Sequence, residues 1–310
     1  MDNKLNILTL LSQKEILTNK LQSLIYGSIE IRETNNHKVI YVHYRENGIA
    51  FTKYVGDYSE DLHNLILNNS IRAKALKKEL KQIEKALKKA GYISSELPCE
   101  VALNIDFARK HLVHTIYNQA VLEGVATTFA DTETIIEGGK VNNMTANDVL
   151  KIINLKHAWE FILNKEVITS PTNFALLCQI NKLIETGFYY NAGCIRTTPV
   201  SIGGTNWKPI LPIESQIKEE LQSIIDSNIE IVDKAIELLL FIMKRQIFID
   251  GNKRTAIIFA NHLLISKAKG LIVIPDDKVE EYKTLLLAYY EGKDNISIKE
   301  FLKDFAYIKI

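Results

Sequence analysis

Between Gln246 and Ala256 the chain places Asp250, Gly251, Asn252, Lys253 and Arg254 in succession, between an apolar stretch ending near Phe248 and another running from Ala256 to Ile265. A turn followed by such a run predicts that these residues open a helix. The unpaired N–H groups and the positive dipole end of a helix N-terminus attract phosphate. A Gly-Asn turn lets neighbouring N–H groups converge on an anion, and Lys253 and Arg254 add two cations. Asp250 stands where a hard cation such as Mg²⁺ would sit beside the phosphates. Taken alone, Asp-Gly-Asn is also a common turn with Asp as the cap.

The elements that must carry this segment are mostly helical. Asn104 to Leu122 reads as one helix ending at Glu123-Gly124, with glycine as its C-terminal cap. Thr145 to Leu163 and Pro171 to Glu185 read as two more, the second with Ser170 as cap and Pro171 in its first turn. Alternation around Val200 and Ile202 predicts a short strand. Leu271 to Ile274 reads as a brief strand ending at Pro275, and Lys278 to Tyr290 and Ile298 to Tyr307 read as amphipathic helices closing a bundle.

The N-terminal third has a different pattern. A helix from about Leu5 to Ser23 precedes alternating residues at Ile29 to Ile31, Val39 to Tyr44 and Ile49 to Val55, which predict a three-stranded meander turning at Asn35-Asn36 and Asn47-Gly48. Ser59 to Ala90 is helical in pattern, and Leu76, Leu80, Ile83 and Leu87 form the seam of a helical hairpin or short coiled coil. Its other face carries Lys74, Lys77, Lys78, Lys81, Lys85, Lys88 and Lys89. Without interleaved aromatic residues this reads as a solvated face rather than a nucleic-acid surface. Gly91, Ser94, Ser95 and Pro98 break the pattern, so residues 1–98 are expected as an N-terminal α+β region and 99–310 as the main domain.

Composition narrows the function classes. A formal charge of +1 over 310 residues argues against bulk nucleic-acid or membrane binding. No apolar stretch reaches membrane-spanning length, and the first 20 residues lack a secretory pattern, so a cytoplasmic protein is expected. Cys99, Cys178 and Cys194 show no metal-ligand spacing and read as reduced thiols. His111 and His114, three apart on an apolar helix, read as packing rather than ligation.

The run from Gln246 to Ala256 resembles the signature of the Fic/Doc (Fido) family, His-x-Phe-x-Asp/Glu-Gly-Asn-Gly/Lys-Arg. Phe248, Asp250, Gly251, Asn252, Lys253 and Arg254 match; Gln246 stands where the family has its general-base histidine. Glu123-Gly124 resembles the family's inhibitory motif, with Gln119 at its hydroxyl position. The arginine that normally pairs with that glutamate is replaced by Ile257. Gly193-Cys194-Ile195-Arg196 is similar to the family's Gly-x-aromatic-Arg segment, and Ile202, Gly203 and Gly204 to the β-hairpin flap that aligns a target peptide. The similarity spans roughly residues 104–270.

What the resemblance implies is a mainly α, Fic-type bundle with a short β-hairpin flap, preceded by a small α+β region. It implies a site for ATP or another purine nucleotide with Mg²⁺, with Asp250 as the metal residue and Gly251, Asn252, Lys253 and Arg254 around the phosphates. The implied reaction is protein adenylyl transfer to a Ser, Thr or Tyr hydroxyl. An amide cannot take the hydroxyl proton, and losing a general base costs roughly 10²- to 10⁴-fold in rate, so catalysis is expected to be impaired or altered. His262 would lie about 12 Å along the helix from Arg254, too far to substitute. The alternatives are an inactive nucleotide-binding regulator, a Doc-like phosphotransferase of toxin–antitoxin kind and, further off, a DNA-binding regulator. Expected partners are a nucleotide and a protein target, with a homodimer left open, and neither nucleic acid nor membrane.

Overall fold

The computed structural model describes residues 3–34, 37–46, 49–92 and 96–310. The expected turns at Asn35-Asn36 and Asn47-Gly48, and the Ser94-Ser95 break, lie outside the described residues. The chain divides into two compact units, Thr9–Ile93 and Met1–Leu8 with Ser94–Ile310.

The smaller unit contains most of α1 (Asn3–Gln22), strands β1 (Ser28–Thr34), β2 (His37–Glu46) and β3 (Ile49–Asp57), and α2 (Glu60–Lys89). The strands form the expected antiparallel meander in the order β1-β2-β3, with one irregularity at Ile40/Tyr41. Alternation puts Ile40 and Val42 on one face, where they are buried with Ile66 of α2. Ser59 caps α2, its Oγ accepting from Leu62 N at 3.1 Å. The helical stretch expected over residues 59–90 is a single 30-residue helix, and its seam residue Ile83 shares a concavity with Leu10, Gln13, Ile16 and Leu17 of α1. No glycine or proline interrupts that run, so nothing in it turns the chain back. The seam residue Leu87 is buried, and the lysines of the opposite face are exposed.

The larger unit is a helical bundle made of α3 (Cys99–Lys110), α4 (Leu112–Leu122), α5 (Phe129–Ile136), α6 (Ala146–Ile162), α7 (Lys165–Ile168), α8 (Phe174–Ile184), α9 (Glu214–Asp226), α10 (Ile231–Arg245), α11 (Asn252–Ser266), α12 (Val279–Tyr290) and α13 (Ser297–Phe301). Helix α11 lies at its centre: from Arg254 to Ile265 every residue is buried, and α3, α6, α7, α8 and α10 pack against it.

Four expectations need correction. The helix expected from Asn104 to Leu122 begins at Cys99 and breaks at His111 (φ −98°, ψ 9°), whose ring lies 4.4 Å from that of Phe107. Helix α8 is capped by Asn173, whose Oδ1 accepts from Leu176 N at 3.0 Å; Ser170 instead donates its hydroxyl to Val167 O at the end of α7. The alternation at Val200 and Ile202 forms no strand, and residues 197–213 carry none of the described β-pairing. Finally, the helix expected to reach Tyr307 stops at Phe301. One π-helical turn follows, then β5 (Tyr307–Ile308), which pairs antiparallel with β4 (Leu271–Ile272).

Candidate functional site

The segment from Gln246 to Arg254 joins α10 to α11 through two left-handed residues, Gln246 (φ 46°) and Gly251 (φ 71°). Glycine at 251 is required twice over. Its φ is costly for other residues, and a Cβ there would come within 2.3 Å of Glu185 Oε1. Asn252 staples the turn: its Oδ1 accepts from Phe248 N at 2.9 Å, and its Nδ2 donates to Phe248 O at 2.8 Å and Gln246 Oε1 at 3.1 Å. The Asn252 side chain is therefore spent within the protein, and its contribution to an anion site would come from the backbone.

Gln246 is equally engaged. Its Nε2 donates to Met243 O at 2.7 Å while its Oε1 accepts from Asn252. His262 is fully buried on the far side of α11. Its Nε2 faces Val167 O at 3.1 Å, an acceptor, so that nitrogen carries the proton and Nδ1 accepts from the Thr172 hydroxyl at 3.0 Å. Burial depresses its pKa to about 4, and it takes no part in this site.

Two residues without an assigned role in the sequence reading hold the turn in place. Asn181 of α8 donates to Asp250 O and to Thr255 Oγ1, both at 3.1 Å, and accepts from Gly193 N at 2.9 Å. Arg196 is 2% exposed, and its guanidinium donates to Gln246 O (2.5 Å), Thr198 O (2.9 Å) and Ile210 O (2.7 Å), with Pro209 O at 3.5 Å. The carbonyls of Thr198, Pro209 and Ile210 are thus drawn to a side chain, which explains why the flap segment forms no ladder. That segment rests on α12 instead: Thr205 donates to Glu291 at 2.6 Å and the Trp207 ring stacks on Tyr290 at 5.5 Å. Ile202 is half-buried, and Gly203 and Gly204 are exposed.

The charges converge on Arg254, which is only 3% exposed. Its Nη2 lies 2.9 Å from Glu185 Oε1 and 3.5 Å from Asp250 Oδ1, and its Nε lies 3.4 Å from Glu123 Oε2. Lys253 Nζ is 3.2 Å from Glu123 Oε1. These are ion-pair distances, yet Arg254 Nε and Nη1, Glu123 Oε1 and Glu185 Oε1 are buried without an aligned hydrogen-bond partner. The contacts are Coulombic and leave hydrogen-bonding capacity unmet, which is costly in a buried place. Three carboxylates, Glu123, Glu185 and Asp250, surround two cations. Burial raises the Glu185 pKa to about 7 against the pull of Arg254.

Glu123 therefore meets the motif helix although Ile257 replaces the usual arginine. It sits at the end of a Schellman turn, with Val125 N bonded to Ala120 O at 3.0 Å and Gly124 N to Val121 O at 2.9 Å. Gln119, one turn earlier, donates to Arg254 O and accepts from Trp159 Nε1 at 3.0 Å, which fixes α4 against α11. Ile257 is buried among Gln119, Leu122, Val273 and Ile274. The Glu185 contact was missed in the sequence. A signal existed, because a carboxylate at a helix C-terminus opposes the helix dipole and calls for a compensating cation.

Asp250 is 53% exposed at its side chain, with one oxygen turned to Gly251 N at 2.6 Å. A single open carboxylate oxygen suits Mg²⁺, which keeps most of its shell as water and phosphate oxygens. Among the described residues no cluster of three or more His, Cys, Asp or Glu side chains is placed to hold a metal by itself.

Fold and site together define a helical bundle whose central helix opens at a glycine turn beside a buried arginine. Residues 171–264 match the model of the Fic/DOC family. Solved structures agree on the fold. Fic-1 (residues 134–508) from C. elegans superposes with a TM-score of 0.54 at 16% identity, covering 78% of this chain and 79% of that one. A Fic domain containing signaling protein from Bacteroides thetaiotaomicron gives 0.51 at 20% identity, over 66% and 80% of the two chains. A Fic family protein from Desulfovibrio desulfuricans gives 0.52 at 14%, over 68% and 73%. No curated protein matches the sequence.

Proposed function

We propose that the chain binds a purine nucleotide with Mg²⁺ at the N-terminus of α11, and that it is a protein adenylyltransferase whose catalysis is impaired by Gln246. The observation that carries this reading is Arg254: a buried cation whose Nε and Nη1 lack aligned partners, at a helix N-terminus, with the open carboxylate of Asp250 beside it. Phosphate oxygens would meet the donors that the glutamates leave unsatisfied. Asp250 would hold Mg²⁺, which when bound neutralises phosphate charge. Lys253 and the first N–H groups of α11 would orient the phosphates, and the segment around Ile202 to Gly204 would present the target hydroxyl.

The weak step is proton removal. At position 246 the amide has no basic lone pair, and both of its ends are already hydrogen-bonded within the protein. That engagement favours a second reading, a nucleotide-binding regulator without transfer activity. Transfer of label to lysate protein from α-labelled and γ-labelled ATP separates the readings, comparing the chain with Gln246→His. The expected outcome is little or no transfer by the chain and a gain in α-label transfer for the histidine variant, by a factor of about 10² or more. Strong transfer by the Gln246 form would place the base elsewhere. Preferential transfer of the γ-label would favour phosphotransfer, and silence from both forms would favour the regulator.

A further inference from the structure

The smaller unit holds a cavity of about 420 Å³ that the nucleotide reading does not use. Its lining comes from α1, the segment that leads from α1 into β1, the meander and α2. Its floor is apolar: Val42 is 1% exposed and Leu24 is half-buried. Two aromatic rings, Tyr26 and Tyr44, stand in the wall, and Tyr44 is itself backed by a stacked Phe51 at 5.5 Å. Arg45, Lys53 and Lys77 are also in the lining, with Thr18, Leu21 and Gln22 of α1 and Ile25, and the lining contains no carboxylate.

The three cations come from three different elements. Lys53 is on β3 opposite Val42 and shares its face of the sheet, and Lys77 is on α2, two turns or more beyond the helix's contacts with the sheet at Leu62 and Ile66, whereas Arg45 follows Tyr44 on β2 and by alternation turns its side chain to the sheet's other face. None of the three forms an ion pair with an acidic side chain among the described residues. Lys77 is oriented instead over the Tyr26 ring, 4.7 Å from its centroid, a contact that holds the ammonium at the cavity without neutralising it. Like charges brought to one concavity repel one another, and folding sets them there without a compensating carboxylate. The cavity falls within the size of small-molecule sites, which are mostly apolar with a few convergent polar groups.

We infer that this cavity binds a small amphipathic anion, an aliphatic or aromatic body carrying a phosphate or carboxylate group. The body would displace water from Leu24, Val42 and the tyrosine rings, and the anionic head would be shared between Lys53 and Lys77. Neither half of the site suffices for an inorganic ion or for a neutral hydrocarbon. The inference concerns the smaller unit alone and does not depend on the reading of the α11 site.

The test uses the full chain with labelled leucine and valine methyl groups, followed by NMR. Octyl phosphate and AMP are the two amphipathic probes, and inorganic phosphate and octanol are the controls. A saturable shift of the Leu24 and Val42 methyl signals with octyl phosphate, AMP or both is expected, the stronger response reporting whether the body is aliphatic or aromatic. The paired substitution Lys53→Glu and Lys77→Glu should weaken that response by about tenfold or more, and Arg45→Gln, on the sheet's other face, should leave it largely unchanged. These side chains are exposed, and unchanged methyl signals from Leu62 and Leu87, in the smaller unit but outside the cavity lining, would report an intact fold in each variant. Reading the two named methyls separates this cavity from any binding of AMP at α11. No saturable shift at millimolar octyl phosphate or AMP would overturn the inference. So would equal affinity for octanol or inorganic phosphate, or full affinity in the charge-reversed variant.

Discussion

Glu123 approaches Lys253 and Arg254 at 3.2 and 3.4 Å, so a phosphate drawn to the same two cations competes with its carboxylate. Glu123→Gly should therefore tighten ATP binding by about tenfold, equivalent to about 1.4 kcal/mol, as read by calorimetric titration. An unchanged affinity would reduce Glu123 to a helix end. Glu185 gives a second prediction. Burial lifts its pKa to about 7 from an ordinary value of 4.5, so between those pH values the folded state holds a proton that the unfolded chain releases. Stability contributed by this group is thus lost as pH rises from about 4.5 to 7. Thermal midpoints of Glu185→Gln, which cannot ionise, should lose that decline relative to the parent chain across this window. A parallel pH profile in both proteins would mean that Glu185 ionises normally. At this scale the sequence revealed Asp250 to Arg254, because they are contiguous and their types state their chemistry. It did not reveal Glu185 or Asn181, whose partners around Arg254 lie 69 to 74 residues away, and although it marked Arg196 within the Gly193–Arg196 segment it could not show that side chain's partners, which are carbonyls that any residue can offer.

Arg196 couples two elements, the turn at Gln246 and the segment from Thr198 to Ile210, through carbonyls alone. Removing the guanidinium in Arg196→Ala would leave those carbonyls poorly satisfied, and chemical denaturation should show a loss of about 3 kcal/mol. A loss well under 1 kcal/mol would mean that water replaces the guanidinium without cost. The same contacts explain where element prediction stopped. Periodicity located α6, α8, α11 and the meander, since each pattern is set by burial of one face. Local alternation at Val200 and Ile202 could not reveal that the carbonyls there are claimed by a distant arginine. The α8 cap was misplaced for a local reason: Ser170 and Asn173 are both competent caps, and Asn173 is the one whose Oδ1 reaches Leu176 N. The π-turn at Leu302–Ala306 follows from pairing of the chain end with Leu271 and Ile272, a long-range demand that overrides helical continuation.

Across the whole molecule, the run from Asp250 to Arg254 lies in the larger unit and the cavity of the further inference in the smaller, each assembled from that unit's own residues. The mainly α class was legible because apolar residues recur at helical spacing over most of residues 104–307, and the family segment at residues 171–264 falls inside the stretch that the motifs marked out. What remained hidden was the charge balance around Arg254, a property of packing α4 and α8 against α11. The central claim is that this cluster accepts a nucleotide with Mg²⁺, and calorimetric titration of the chain with ATP tests it most directly, with and without Mg²⁺. The account predicts saturable single-site binding that weakens when Mg²⁺ is chelated and weakens similarly in Asp250→Ala. Absence of detectable binding at millimolar ATP with Mg²⁺, in both the parent chain and Glu123→Gly, would contradict it.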